Sequence, residues 1–260
     1  HHLRPHSGQL ATAAHLRELL EGSEIRRSHE GCARVQDPYT LRCIPQVIGA
    51  VRDAVSYCRG VVEVELGAVT DNPLSFPADG VVLSGGNFHG QPLALALDFL
   101  ALALTQLASF SERRTYALLS TWDGEAALPV FLTERPGLNS GLMIAQYVAA
   151  SLVTENKVLA HPASADSIPT SAGTEDFVSM GATAAWKLGR VLENTRRAIA
   201  IEWLCAAQAL EYHRPLRSGN LLEALIAHVR AIVPPLAEDR SLAPDIEGLA
   251  RAIRSEHLLL

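Results

Sequence analysis

The sequence predicts an all-α protein built from long antiparallel helices. Apolar residues make up 48% of its 260 residues and aromatic residues only 5%, so Leu, Ala, Val and Ile must form most of the core. Ala and Leu are strong helix formers, and few segments are rich in the β-branched residues that favour strands. Loops rich in Pro, Gly and Asn separate the apolar segments. Together these features favour a helical bundle over a fold based on sheets.

Start and stop signals set the boundaries of the predicted elements. Pro45, for example, suits the first turn of a helix, and Asp71-Asn72-Pro73 ends that helix. The predicted helices are 7–21 (capped by Ser7), 45–69, 92–119, 139 or 140 to 160, 175–212, 221–233 and 245–257. A small hairpin at 74–83 is the one predicted β-structure, because Pro77-Ala78-Asp79-Gly80 is a turn signal between two short apolar runs.

The two longest predicted helices carry more apolar surface than one small globule can cover. The segment 92–119 is apolar on nearly every side, which predicts burial on every side. A helix over 175–212 would span roughly 55 Å at the usual rise per residue. We therefore expect a multi-helix bundle that is shared between subunits, with both helices buried in subunit contacts.

Charge and cysteine content exclude several classes of function. The net charge is −6 and no basic stripe is visible, which argues against a nucleic-acid partner. The four cysteines lack zinc-binding spacing, so we predict no metal site and interpret them as reduced, mostly buried thiols. The apolar run 92–110 is interrupted by Asp98, Thr105 and Gln106, so it is interpreted as a core helix and no membrane partner is expected. These features predict a soluble, cytoplasmic protein.

The segment 36–43, Gln-Asp-Pro-Tyr-Thr-Leu-Arg-Cys, carries the most informative chemistry. It sets the phenol of Tyr39 and the guanidinium of Arg42 three residues apart in a polar loop that Pro38 stiffens. A tyrosine can transfer a proton, and an arginine can hold a carboxylate through two parallel hydrogen bonds. This pair could therefore transfer a proton and bind a carboxylate, two of the tasks needed to act on an α-amino acid.

Further motifs follow along the rest of the chain. They lie at 70–74, 84–89, 137–146, 155–157, 161–164 and 175–181. In content and order, these motifs and the segment 36–43 resemble those of the histidine and aromatic amino-acid ammonia-lyases, and most of all the histidine-specific members. The resemblance covers nearly the whole chain.

The resemblance implies an all-α bundle of the fumarase/aspartase-like type, assembled as a homotetramer whose active sites are built from several subunits. Such proteins release ammonia from an aromatic α-amino acid with the help of a methylidene-imidazolone, which forms when an internal Ala-Ser-Gly cyclises and loses water. No Ala-Ser-Gly occurs in residues 1–260. We therefore expect residues 1–260 to be the C-terminal helical portion of an ammonia-lyase, inactive alone, with the electrophile supplied from upstream of His1 or by a separate N-terminal fragment. No external cofactor is expected.

The same resemblance implies roles for five residues. Tyr39 would handle a proton, Arg42 would bind the substrate carboxylate, and Gln36 would lie near the substrate and the electrophile. Phe88 would pack beside the electrophile, and Glu175 would accept a hydrogen bond from an imidazole or transfer a proton. Because such sites are built across subunits, the five residues need not meet within one chain. Structural roles are the alternative: a backbone hydrogen bond for Tyr39, a surface ion pair for Arg42 and a first-turn helix position for Glu175.

Glu175 favours L-histidine as the substrate and urocanate as the product, because tyrosine- or phenylalanine-specific relatives often carry glutamine at this position. Thr174 and Phe177, which flank it, depart from the residues common in histidine-specific relatives. A tyrosine or phenylalanine ammonia-lyase, or an aminomutase, is therefore the alternative with the same chemistry. A non-catalytic helical subunit that serves assembly only is the alternative from a different class.

Overall fold

Long helices account for most of the structure, a computed structural model that describes residues 1–32, 35–120 and 128–255. The helices are α1 (Ser7–Leu19), α2 (Glu24–Ser28), α3 (Tyr39–Arg42), α4 (Ile44–Gly67), α5 (Gln91–Leu119), α6 (Met143–Leu159), α7 (Gly181–Glu211), α8 (Asn220–Ile232) and α9 (Ala243–Arg254). Short 3₁₀ turns lie at Val130–Leu132, Ala163–Ala165 and Ser171–Gly173. The prediction of an all-α fold is confirmed.

The predicted hairpin is present between α4 and α5. β1 (Leu74–Phe76) pairs antiparallel with β2 (Val81–Leu83), and Leu74 faces Leu83 in the register. Gly80 closes the turn with a φ of 63°, a left-handed conformation that glycine adopts without steric cost. The chain therefore turns back through this hairpin as it passes from α4 to α5.

Contacts along α4 and α5 show that the two helices are antiparallel. The contacting pairs are Val69 with Asn87, Cys58 with Ala96, and Tyr57 with Phe99. As the residue number rises on the α4 side, it falls on the α5 side. The C-terminal end of α4 therefore lies beside the N-terminal end of α5.

α5 and α7 run parallel to each other through the middle of the bundle. The pairs that show this direction are Asp98 with Lys187, Leu104 with Thr195, Ser111 with Ala198, and Arg114 with Glu202. α6 runs the opposite way, because Gln146 near its start contacts Glu112 and Asn156 near its end contacts Thr195. The long helices α4 to α7 thus alternate in direction, in agreement with the predicted antiparallel bundle.

Mostly small residues at every seventh position let α5 and α7 approach closely. The fully buried residues with this spacing are Ala94, Ala101, Ala108 and Thr115 on α5, and Ala184, Val191, Ala198 and Cys205 on α7. A spacing of seven keeps these residues on one side of each helix, as in coiled coils. Burial raises the pKa of the Cys205 thiol, which favours its protonated form.

The predicted start of the longest helix is wrong, because α7 begins at Gly181 rather than at 175. The residues before it form a tight turn in which Ser171 and Ala172 have φ values of 51° and 55°. These left-handed conformations cannot belong to a right-handed helix. Glu175 itself pairs with Thr170 in an isolated antiparallel bridge, so it is a loop residue and not a first-turn helix position.

The start of α6 and the N-cap of α1 also differ from the prediction. α6 begins at Met143, because the backbone N–H groups of Ser140 and Gly141 donate to the Asp239 carboxylate at 2.7 and 2.9 Å. Ser7 is the first residue of α1 and does not cap it with its side chain. At the other end of the chain, the predicted helix 245–257 ends at Arg254 in α9, and residues 256–257 lie outside the described part.

The expected burial of α5 on every side is not found within one chain. Its outward positions remain exposed at Leu95, Phe99, Leu102 and Tyr116. α5 is also the one helix among the described residues that is long and apolar enough to cross a membrane. A core helix meets the same criterion, and α5 packs on α4, α6 and α7 and carries the buried carboxylates of Asp98 and Glu112. Core packing therefore explains its inner side, and much of its outer side stays exposed among the described residues.

Glycine is required where α1 crosses α4, so Gly49→Ala should destabilise the protein. A Cβ atom at Gly49 would lie 2.4 Å from the backbone nitrogen of Gln9, and one at Gly8 would lie 2.1 Å from the Gly49 carbonyl oxygen. Overpacking of this kind typically costs about 1–3 kcal/mol. Gly60→Ala on the same helix is the matched control, because a Cβ there would meet no atom within 4 Å outside its own turn of helix. Urea denaturation should show a loss for Gly49→Ala only, and equal stability of the two variants would contradict the close crossing.

Candidate active site

Tyr39 and Arg42 lie together on the short helix α3, directly before α4. The Arg42 Nε–H donates to the Asp37 carbonyl oxygen at 2.8 Å, and the guanidinium carbon lies 4.7 Å from the centre of the Tyr39 ring. Tyr39 is 72% exposed, and Gln36 and Arg42 are exposed as well. A phenol and a guanidinium are therefore presented on one open surface, with the arginine held in place by the loop that precedes it.

Among the described residues, the Tyr39 hydroxyl has no hydrogen-bond partner, and Nε is the one nitrogen of Arg42 that donates. Among the described residues, therefore, the Tyr39 hydroxyl does not form the backbone hydrogen bond and Arg42 does not form the surface ion pair that a purely structural role would involve. Two terminal nitrogens of the guanidinium remain available to a ligand, which is the arrangement that a bidentate carboxylate contact needs.

Phe88 lies in a loop that side-chain amides attach to the end of α4. The Asn72 Oδ1 atom accepts hydrogen bonds from the Ser84 hydroxyl and the Gly85 N–H, at 2.8 and 2.9 Å. Asn87 donates from Nδ2 to the Val69 carbonyl oxygen at 2.9 Å. These contacts hold the loop while the Phe88 ring stays 56% exposed. A large apolar ring is therefore held in a defined loop and stays largely exposed among the described residues.

Glu175 lies at the end of the tight turn that precedes α7. Its carbonyl oxygen accepts from the Thr170 N–H at 2.8 Å, and its own N–H donates back to the Thr170 carbonyl at 3.3 Å. The Thr170 hydroxyl also donates to Glu175 Oε2. One carboxylate oxygen is thus oriented by the turn, and Oε1 faces no hydrogen-bond donor among the described residues.

The Phe88 loop and the Glu175 turn contact each other. The rings of His89 and Phe177 are stacked, with centres 6.0 Å apart, and the His89 Nε2 atom lies 3.2 Å from the Phe177 carbonyl oxygen. A Cβ atom at Gly90 would lie 3.1 Å from the Ser179 hydroxyl oxygen, so the chains also pass closely there. Phe88 and Glu175 therefore lie at the same end of the bundle, where α5 and α7 both begin.

Tyr39 and Arg42 lie at the opposite end of the bundle from Phe88 and Glu175. α3 precedes the N-terminal end of α4, whereas the Phe88 loop is bonded to the C-terminal end. α4 has 24 residues, which corresponds to about 36 Å at the usual rise per residue. Within one chain, the five predicted residues therefore form two separate groups. Gln36, Tyr39 and Arg42 lie at one end of the bundle, and Phe88 and Glu175 lie at the other.

A buried ion pair lies beneath the Phe88 and Glu175 end. Asp98 accepts a hydrogen bond from the Ser164 N–H at 2.7 Å and lies 3.4 Å from the Lys187 Nζ atom. Lys187 also donates to the His161 carbonyl oxygen. The pair therefore holds the loop after α6 against both central helices. The sequence interpretation treated Asp98 as a break in an apolar run, although a charge on such a helix requires a buried partner.

Two clefts lie away from the five predicted site residues. A cleft of about 440 Å³ lies beside Glu211, Tyr212 and Glu238, and another of about 460 Å³ lies beside Gln46, Tyr57 and Phe99. Neither cleft is lined by any of the five predicted site residues. The predicted residues occupy open surfaces at the two ends of the bundle instead.

A helical bundle with polar motif loops gathered at its two ends defines an all-α protein. The family model described as "Aromatic amino acid lyase" matches residues 1–231. The chain therefore belongs to the aromatic amino acid lyase family.

The comparisons also identify similar individual proteins. A histidine ammonia-lyase from Koribacter versatilis (strain Ellin345) is 54% identical over an alignment of 270 residues, which covers 99% of this chain and 52% of that protein. The crystal structure of a histidine ammonia-lyase from Trypanosoma cruzi has a TM-score of 0.89 and 46% identity, covering 99% of this chain and 48% of that one. A tyrosine aminomutase from Streptomyces globisporus has a TM-score of 0.89 and 39% identity, covering 99% and 52%. The chain thus spans about half the length of these relatives.

Removal of the buried ammonium group of Lys187, which pairs with Asp98, should destabilise the protein strongly. Lys187→Met should lower the free energy of unfolding by about 3 kcal/mol or more, because Asp98 would stay buried without its counter-charge. Arg190→Met is the control, because Arg190 pairs with Glu155 at an exposed position and its loss should change little. Urea denaturation of both variants measures the difference. Similar losses in both would show that the buried pair has no special role.

Proposed function

We propose that the full-length protein is an ammonia-lyase that converts L-histidine to urocanate. The paired presentation of Tyr39 and Arg42 on one open surface is the structural observation that carries the proposal. The similarity to proteins named histidine ammonia-lyase, at 54% identity over almost the whole chain, supports the choice of substrate.

In this proposal Arg42 binds the α-carboxylate of the amino acid. The bond from Nε to the Asp37 carbonyl and the contact with the Tyr39 ring fix the guanidinium plane. The terminal nitrogens are then directed at the substrate, and two parallel hydrogen bonds would set the orientation of the carboxylate. Tyr39, with its hydroxyl in contact with solvent, handles a proton close to that carboxylate.

Glu175 acts on the side chain of the substrate. Its Oε2 atom is oriented by the Thr170 hydroxyl, which leaves Oε1 to accept a hydrogen bond from an imidazole N–H or to take a proton. A carboxylate suits histidine in particular, since a phenyl ring offers no N–H to it. Phe88 forms an apolar wall beside it.

The methylidene-imidazolone implied by the family is proposed to come from an Ala-Ser-Gly segment outside residues 1–260. This group supplies the electrophilic carbon that ordinary side chains lack. The exposed, well-anchored ring of Phe88 fits such a planar group, because it offers a flat apolar face at a fixed position. The amide of Gln36 offers a donor and an acceptor for the polar edge of the same group.

We also propose that a complete site is assembled from several copies in a homotetramer, in the cytoplasm. The separation of about 36 Å, from the 24 residues of α4, keeps Tyr39 and Glu175 of one chain apart. The exposed apolar side of α5, together with Ile144 and Tyr147 on α6, supplies surface that needs a partner.

An aminomutase or lyase acting on tyrosine or phenylalanine is the second candidate. The exposed aromatic ring of Phe177, two residues from Glu175, favours it because an apolar ring suits a phenyl or phenol substrate. The similarity to the tyrosine aminomutase supports the same candidate.

Incubation of the full-length protein with L-histidine, L-tyrosine and L-phenylalanine separates these functions. The proposal expects ammonia release and the ultraviolet absorbance of urocanate with histidine only. Release of ammonia with tyrosine or phenylalanine, or a β-amino acid product, would favour the second candidate. Absence of reaction with all three would contradict a lyase function.

Tyr39→Phe and Arg42→Lys should impair the full-length enzyme in different ways. Loss of a proton-transferring hydroxyl should lower kcat by about a hundredfold or more. An ammonium group cannot form the two-pronged carboxylate contact, so Arg42→Lys should raise KM by roughly tenfold with a smaller change in kcat. Tyr57→Phe, which deletes an exposed hydroxyl on α4, is the control and should retain normal steady-state kinetics. Near-normal turnover of Tyr39→Phe would remove its catalytic role.

A further inference from the structure

We propose that His89 is a positioning residue for Glu175. Its ring stack and hydrogen bond on Phe177 hold the Glu175 turn against the loop that carries Phe88. This inference rests on the proposed function, because it assigns His89 a role that acts through the Glu175 carboxylate.

The segment that carries Glu175 is closed mainly on itself. The Ser167 hydroxyl donates to the Val178 carbonyl at 3.0 Å and accepts from the Val178 N–H at 2.9 Å. Inside this closed loop, Thr170 and Glu175 bond to each other through backbone and side chain. These contacts give the loop a defined shape, but they do not attach it to the body of the protein.

His89 provides that attachment. Among the described residues, its bond to the Phe177 carbonyl is the hydrogen bond that joins the 167–178 loop to another part of the chain. A carbonyl oxygen can only accept, so Nε2 must carry the proton. The two rings are nearly parallel, with an interplanar angle of 15°, so they reinforce the same contact.

The position of this contact suits a role in catalysis more than in stability. Phe177 is 60% exposed, so its stacking on His89 buries little surface. Phe177 lies only two residues from Glu175, however, and a movement of the loop would carry the carboxylate with it. A displacement of about 1 Å at a catalytic group is enough to lower the rate strongly.

A double-mutant cycle in the full-length protein tests the inference. The variants are His89→Ala, Glu175→Gln and the combination of the two, with kcat/KM for L-histidine as the readout. His89→Ala alone should lower kcat/KM by about tenfold or more. In the Glu175→Gln background the same substitution should have little further effect, because the group that His89 positions is already lost. A full additional tenfold loss in that background, or no loss in the single variant, would overturn the inference.

Two further variants separate positioning from general destabilisation. His89→Gln keeps a donor that can reach the Phe177 carbonyl and should lose less activity than His89→Ala. His228→Ala removes an exposed histidine on α8 and should leave kcat/KM unchanged. A loss in His89→Gln equal to that in His89→Ala would contradict the hydrogen bond as the holding contact.

A structural readout keeps this test independent of the proposed function. Amide hydrogen exchange over residues 167–178 should be faster in His89→Ala than in the wild type and in His228→Ala. Unchanged exchange would overturn the attachment, whatever the activity. If the wild-type protein released no ammonia from any aromatic amino acid, the proposed function would fail, and the exchange measurement would still decide whether His89 holds the loop.

Discussion

The close parallel packing of α5 against α7 is the constraint on which the rest of the structure depends. The fully buried small residues at Ala94, Ala101 and Ala108 repeat every seven positions on α5, and Ala184 and Ala198 lie at twice that spacing, fourteen positions apart, on α7. Side chains of this size let the helix backbones approach, and larger ones would force them apart. Because the helices are parallel, they begin at the same end of the bundle. The loops that precede them, which carry Phe88 and Glu175, therefore meet there.

The antiparallel packing of α4 has the opposite consequence. It connects to α5 through the hairpin, so its far end carries Tyr39 and Arg42 to the other end of the bundle. The fold thus separates Arg42 from Glu175 by the length of a long helix. Both groups are exposed, and so is the outer apolar side of α5. In the proposed homotetramer, association of copies would bring the two exposed groups together.

Much of the fold could be predicted from the sequence, because helix propensity and proline and glycine signals act locally. α4, α5, α8 and the hairpin lie within one or two residues of their predicted bounds. The predicted start of α7 was wrong, because Glu175 pairs with Thr170 across a turn, and a helical pattern does not reveal such a pairing. The repeat of small residues at every seventh position on α5 and α7 was not predicted. For the site, the residue types suggested the chemistry, but their division between two ends of the bundle depends on helix direction. The partnership of Asp98 with Lys187 likewise appears only when α5 and α7 are packed together.

We propose that a working site combines Tyr39 and Arg42 of one copy with Phe88 and Glu175 of another. Complementation between two inactive full-length variants, Tyr39→Phe and Glu175→Gln, measures this directly when the two are co-expressed and purified as mixed oligomers. With random association, about a quarter of the sites would combine an intact Tyr39 with an intact Glu175, so about a quarter of the wild-type activity should return. If both residues of a site came from the same chain, no site would be complete, and activity no greater than that of the separate variants would contradict the claim.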